Sequence, residues 1–156
     1  MQNLSKDILI KSLSFNIFYP RDLDLFNNKI IKFSKDLNDD SDAFITNNFD
    51  ELGYARRYSK KYLFYFSQNL NEDDLIKASI YGADGVILDK IINKNLINLA
   101  RNSGFNLAFL AKNNTDLLKA TIYNFNIFIT NKDLLENIPN TKLKGELYEL
   151  SKSTLA

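Results

Sequence analysis

Five short apolar runs at nearly even spacing constrain this chain more than any other feature. They are "AFIT" from Ala43, "YLFYF" from Tyr62, "GVILD" from Gly85, "NLAFLA" from Asn106 and "NIFIT" from Asn126, and their starts lie 19, 23, 21 and 20 residues apart. Runs this short read as strands rather than helices. The segments between them carry helix signals. "NEDDLIKASIYG" opens with acids that suit a helix N-terminus and ends on Gly82 in the position of a C-terminal cap. "KNLINLARNSG" ends at Gly104, and "NNTDLLKATIYN" has Thr115 or Asp116 placed to cap it. Alternation of strand and helix at a short, even period predicts parallel strands joined by crossover helices, in a barrel-type arrangement rather than a doubly wound sheet.

Upstream, "SLSFNIFYP" supplies one more strand, stopped by Pro20, for six in all. After it, Leu23, Phe26, Ile30, Phe33 and Leu37 fall at spacings of 3, 4, 3 and 4, the pattern of one helical face. The tail "TKLKGELYELSKSTLA" reads as a further helix, with Leu147 and Leu150 available for packing. One domain over residues 1–156 is expected, with βα units over about 14–138 and the tail helix over 141–156. A complete eight-stranded barrel takes about 200 to 250 residues. The expected fold is therefore α/β, an incomplete TIM-barrel-like parallel (βα) repeat of about six strands with outer helices. Its open edge would call for a protein partner or a homo-oligomer.

Composition narrows the chemistry. Twenty basic and nineteen acidic side chains leave a net charge of +1, so no global field draws the chain to nucleic acid or to an anionic membrane. There are no cysteines, which removes disulfides, thiolate nucleophiles and the usual zinc sites. There are no histidines either, so the commonest general base and the commonest transition-metal ligand are missing. Carboxylate, lysine or tyrosine chemistry would have to serve, and neither a metal nor a cofactor is expected. The N-terminal stretch lacks an apolar core with a small-residue cleavage site, and no segment approaches 18 uninterrupted apolar residues. A cytoplasmic protein without membrane insertion is expected.

The motifs and their order resemble a known family. "GAD" at Gly82 to Asp84, followed by "GVILD", resembles the fourth-strand motif Gly-Ala-Asp-Ala-Val-Leu-Leu of indole-3-glycerol phosphate synthase, a barrel lyase. "FITNKDL", Phe128 to Leu134, resembles that family's sixth-strand motif Gly-Ile-Asn-Asn-Arg-Asp-Leu. Between them "LINLARNSGFNLAFLAKN" is similar to the intervening helix and fifth strand. The resemblance covers about Ser14 to Leu134 and implies a phosphate-binding barrel that closes an indole ring by decarboxylation and dehydration.

Residue by residue, the same resemblance implies that the chemistry has gone. With Pro20 on the family's first-strand proline, Ser14 and Asn16 stand where it has Glu and Lys. Phe66 stands at its third-strand catalytic Lys, Leu110 at its fifth-strand Glu and Thr130 at its sixth-strand Asn. Asn131 is retained, Lys132 replaces an Arg, and nothing resembles strands seven and eight with their phosphate-gripping loops. Ring closure of this kind needs a general acid, a base and a cationic grip on phosphate, and each acid–base partner contributes about a hundredfold to ten-thousandfold. Losing them together predicts a non-catalytic relative that acts as a protein-binding or structural component. The alternative is an active lyase or a small phosphate-ligand binder that uses the strand ends.

Those ends are uniformly polar, and in barrel enzymes they are where sites lie. A remnant anion pocket would draw on Lys112, Thr130, Asn131 and Lys132, with Lys90 a further cation. The competing reading is that such residues end strands and cap helices. "ARRYSKKY", Ala55 to Tyr62, reads as a nucleic-acid or phosphate patch or, more economically, as a solvated helix end. The acidic "NDDSD" at Asn38 to Asp42 and "NEDD" at Asn71 to Asp74 read as a loop and a helix N-terminus, and the first lacks the spacing of a calcium loop.

Overall fold

All five apolar runs become strands, and two more strands join them to close a ring. The computed structural model describes residues 20–23, 26, 29–90 and 93–147. Its strands are β1 (Ile30–Ser34), β2 (Ala43–Thr46), β3 (Tyr62–Phe66), β4 (Gly85–Leu88), β5 (Asn106–Leu110), β6 (Ile127–Thr130) and β7 (Leu143–Leu147). They pair in chain order, all parallel, and β7 returns to β1, with Ile30 opposite Lys144 and Phe33 opposite Leu147. The helices are α1 (Phe49–Tyr58), α2 (Glu72–Tyr81), α3 (Lys94–Asn102) and α4 (Asn114–Ile122), and a 3-10 helix (Lys132–Asn137) leads from β6 toward β7.

The parallel βα repeat is thus the architecture, a TIM-barrel-like ring built with seven strands. Three sequence expectations are corrected. The barrel is closed, so the described sheet offers no open edge for a partner. Ile30–Ser34 is a strand, and the helical spacing from Leu23 to Leu37 was coincidental: Phe33 is fully buried while Ile30 is 42% exposed, on the other side of the sheet. Leu143–Leu147 is likewise a strand where a helix was expected. The strand proposed in "SLSFNIFYP" and the remainder of the tail lie outside the described residues.

Two buried layers hold the ring. Between sheet and helices lie Leu63, Val86, Leu107 and Phe128 from the strands, packed against Leu52, Leu75, Ile97 and Leu117 from the helices. Inside the ring the other strand faces meet, among them Phe33, Ile45, Phe64, Ile87, Ala108 and Ile129. Strands β2 to β6 are therefore covered on both faces, which is why they are continuous apolar runs. Strands β1 and β7 carry no helix among the described residues, and they alternate: "LKGEL" buries Leu143, Gly145 and Leu147 and leaves Lys144 and Glu146 half-exposed.

Two glycines make room for the aromatic filling of the ring. A Cβ on Gly145 would lie 2.5 Å from the Phe33 ring, and one on Gly85 would lie 2.5 Å from the Phe64 ring and against the Asn106 carbonyl. Phe33 and Phe64 meet edge to face with centroids 5.0 Å apart. Small residues on β4 and β7 thus let two large rings share one lumen, the interdigitation that close packing requires.

The β1–β2 connection has no helix. Parallel strands usually need a dozen or more residues to cross over, but β2 begins where β1 ends, with Phe33 opposite Ala43. The connection therefore descends only a short way. Asp39 holds it, accepting from Ser34 Oγ, Ser41 Oγ and Lys61 Nζ at 2.5, 2.5 and 2.6 Å.

Candidate functional site

The C-terminal ends of the strands are where a barrel of this class places its chemistry, and here the turns after β2 to β6 each end in an asparagine. Asn48 accepts from the Glu51 amide, Asn71 from Asp74, Asn93 from Asn95, Asn113 from Asp116, and Asn131 from both Asp133 and Leu134. An Asn side chain in this place satisfies amides that the first helical turn leaves open. At α2 the bond is reciprocal, because Asp74 also accepts from the Asn71 amide. The cap of α4 is Asn113 rather than Thr115 or Asp116, and Asp116 instead accepts from the Lys112 amide.

The residues singled out from the sequence do not converge on one pocket. Phe66 and Leu110 point into the ring, 7% and 6% exposed, in the same cluster as Leu147 and Ile129. Thr130 lies on the other face of its strand, 2% exposed, with its hydroxyl donating to the Ala111 carbonyl at 2.9 Å. Phe66, Leu110 and Thr130 therefore do not enclose a common space. Asn131 caps the 3-10 helix, and Lys112 and Lys132 are exposed at the ends of the neighbouring strands β5 and β6. Ser14 and Asn16 lie outside the described residues. Tyr62, Phe64 and Phe66 share the inward face as their spacing predicts, with Tyr62 at the lower rim.

The opposite end of the ring is stoppered. Leu23 and Phe26 belong to the lumen cluster, and Phe26 meets Tyr62 edge to face at 5.6 Å. Asp84, fully buried just before β4, ties this segment down. Its Oδ1 accepts from the Arg21 amide, Arg21 Nε and Arg56 Nη1 at 2.9, 3.0 and 3.1 Å. Its Oδ2 accepts from Arg21 Nη2 at 2.7 Å and the Leu63 amide at 2.8 Å. Arg21 also donates to the Lys61 carbonyl at 2.7 Å and stands over the Tyr62 ring at 4.9 Å. Burial alone would lower the Arg21 pKa, but hydrogen bonding and charge from Asp84 outweigh it and raise the pKa, so the cation is secured. The Gly82-Ala83-Asp84 motif is thus a structural joint: Gly82, at a φ of 95°, ends α2 in the left-handed region, and Asp84 anchors the stopper.

The basic run "ARRYSKKY" is divided by this joint. Arg56 is engaged with Asp84 and the Gly82 carbonyl, and Lys61 with Asp39, while Arg57 and Lys60 face solvent. Burial pushes the Asp39 carboxyl up, but the bonds from Lys61, Ser34 and Ser41 prevail and hold it well below the usual carboxylate range. Among the described residues no set of three acidic side chains gathers as a metal site would, and no helix is long and apolar enough to cross a membrane. Sequence reading missed the Arg21–Asp84–Arg56 joint, whose members are separated by 63 and 28 positions and share no local pattern.

The fold and the two ends of the ring define a class, the closed parallel βα barrel with a solid apolar interior. Beyond that class, no family model matches the chain, and a search of curated proteins finds no match.

Proposed function

We propose that this chain is a non-catalytic barrel, similar to indole-3-glycerol phosphate synthase in its motifs, that serves as a protein-binding or structural component of a larger assembly. One observation carries the reading. The inward ends of β3 and β5, where such an enzyme needs an acid and a base, are Phe66 and Leu110, packed into the lumen at 7% and 6% exposure. An apolar, closely packed lumen can neither transfer a proton nor grip a phosphate. The asparagines at the strand ends support the same reading, because their side-chain oxygens are engaged as helix caps.

The test is direct. Purified full-length chain, incubated with the family's carboxyphenylamino-deoxyribulose phosphate, is expected to form no indole product above the uncatalysed level; turnover refutes the proposal. The native mass in gentle lysate of the source cells supplies the positive arm. Recovery in a large, defined assembly supports a structural role, and a free species near 18.0 kDa counts against it. A second reading, a small phosphate held at the strand ends, draws on the exposure of Lys112 and Lys132 on neighbouring strands. It requires Lys132→Ala to weaken phosphate binding.

A further inference from the structure

The barrel carries a cleft on its outer side, at the seam where β7 meets β1. It is half open, has a volume of about 330 Å³ and lies between the N-terminal ends of β1 and β7, the 3-10 helix and the connection that follows it. Two kinds of group line it. Phe26, Ile30, Leu135 and Leu143 supply its apolar lining, and Lys29, Lys142 and Lys144 line it on the basic side, with Glu136 the single acidic residue. Among the described residues the Lys29 and Lys144 side chains form no ion pair or hydrogen bond, and Glu136 pairs with none of the three lysines.

The two carboxylates that hold the fold's ion pairs are, by contrast, balanced. Asp84 is matched by two arginines, and Asp39 by Lys61. Lys142 donates to Asn124 Oδ1 at 2.7 Å, and burial and then the nearby Arg101 lower its pKa. A half-open cleft of this size, lined about equally by polar and apolar surface, has room for a small molecule that is itself part apolar and part charged.

We propose that the β1–β7 cleft binds a small amphipathic anion, with an apolar or aromatic body against Ile30, Leu135 and Leu143 and a phosphate or carboxylate at Lys29 and Lys144. The site does not depend on the strand ends, so it stands or falls separately from the function proposed above.

Phenyl phosphate is the probe, titrated into full-length protein and followed calorimetrically, with inorganic phosphate and benzyl alcohol as half-probes that carry only the charge or only the ring. Saturable binding of phenyl phosphate, with each half-probe at least about tenfold weaker, is expected. The Lys29→Ala/Lys144→Ala variant removes two solvent-facing charges and leaves the core intact, which circular dichroism checks; it is expected to weaken binding about tenfold or more. Lys112→Ala/Lys132→Ala is expected to leave it unchanged. The proposal is overturned if phenyl phosphate does not bind, if the seam variant binds as the parent does, or if the strand-end variant accounts for the loss.

Discussion

Replacing Asp84 by Ala removes an acceptor that five N–H donors share. The Leu63 amide is buried, and loss of an acceptor for one buried donor costs about 1–3 kcal/mol. Arg56, whose side chain is 12% exposed, keeps the Gly82 carbonyl, at 3.3 Å. Arg21, at 34%, can turn partly to water. Breaking a buried pair from one side costs about 3–5 kcal/mol, and the partial escape of Arg21 places the expected loss toward the lower end. For a chain of this size that corresponds to a melting temperature lower by roughly 10 °C. Urea denaturation of parent and variant measures it, with Asp84→Asn as a control that keeps one acceptor oxygen for Leu63 and loses less. A loss under about 1 kcal/mol for Asp84→Ala would show that the stopper segment is held by Leu23 and Phe26 alone and would refute the electrostatic account.

Two further predictions follow from the packing and from charge. Gly145→Ala places a methyl against the Phe33 ring and Ile129, so it is expected to cost about 1–3 kcal/mol. Combined with Phe33→Leu it should cost less than the two changes added, and strict additivity in denaturation experiments would contradict the contact. The Asp39 pKa is depressed in the folded state. The stability it supplies is therefore fully present above the ordinary carboxylate value of 3.8 and is lost as pH falls from there toward the folded-state value. Acid titration of Asp39→Asn should show a shallower decline below about pH 4 than the parent, and identical profiles would rule this pair out as a source of acid sensitivity.

The sequence makes plain the strands that helices cover and conceals those they do not. "YLFYF" and "NLAFL" are apolar on both faces because each is sandwiched between lumen and helix, so a continuous run marks them. "IIKFS" and "LKGEL" need only one apolar face, and their alternation over five residues is too brief to outweigh a helical spacing that happened to run through it. The two strands that close the ring are the two that were misread, and an open barrel followed from that. The strand-end residues were legible as caps, since Asn before a helix has a local function. The Asp84 joint was not, because its partners meet only once the ring has formed.

Closure also changes what a local failure does to the molecule. In an open sheet the outermost strand can fray and leave its neighbour as a new edge of the same kind. In a ring no strand is outermost, so parting β7 from β1 creates two edges at once, each with bare amides and carbonyls ready to pair with another molecule. Lys32, Lys144 and Glu146 sit on the outer side of those two strands. Charges on a newly bared edge resist the approach of a second chain, so the seam that opens into a sticky surface carries its own guard against polymerisation.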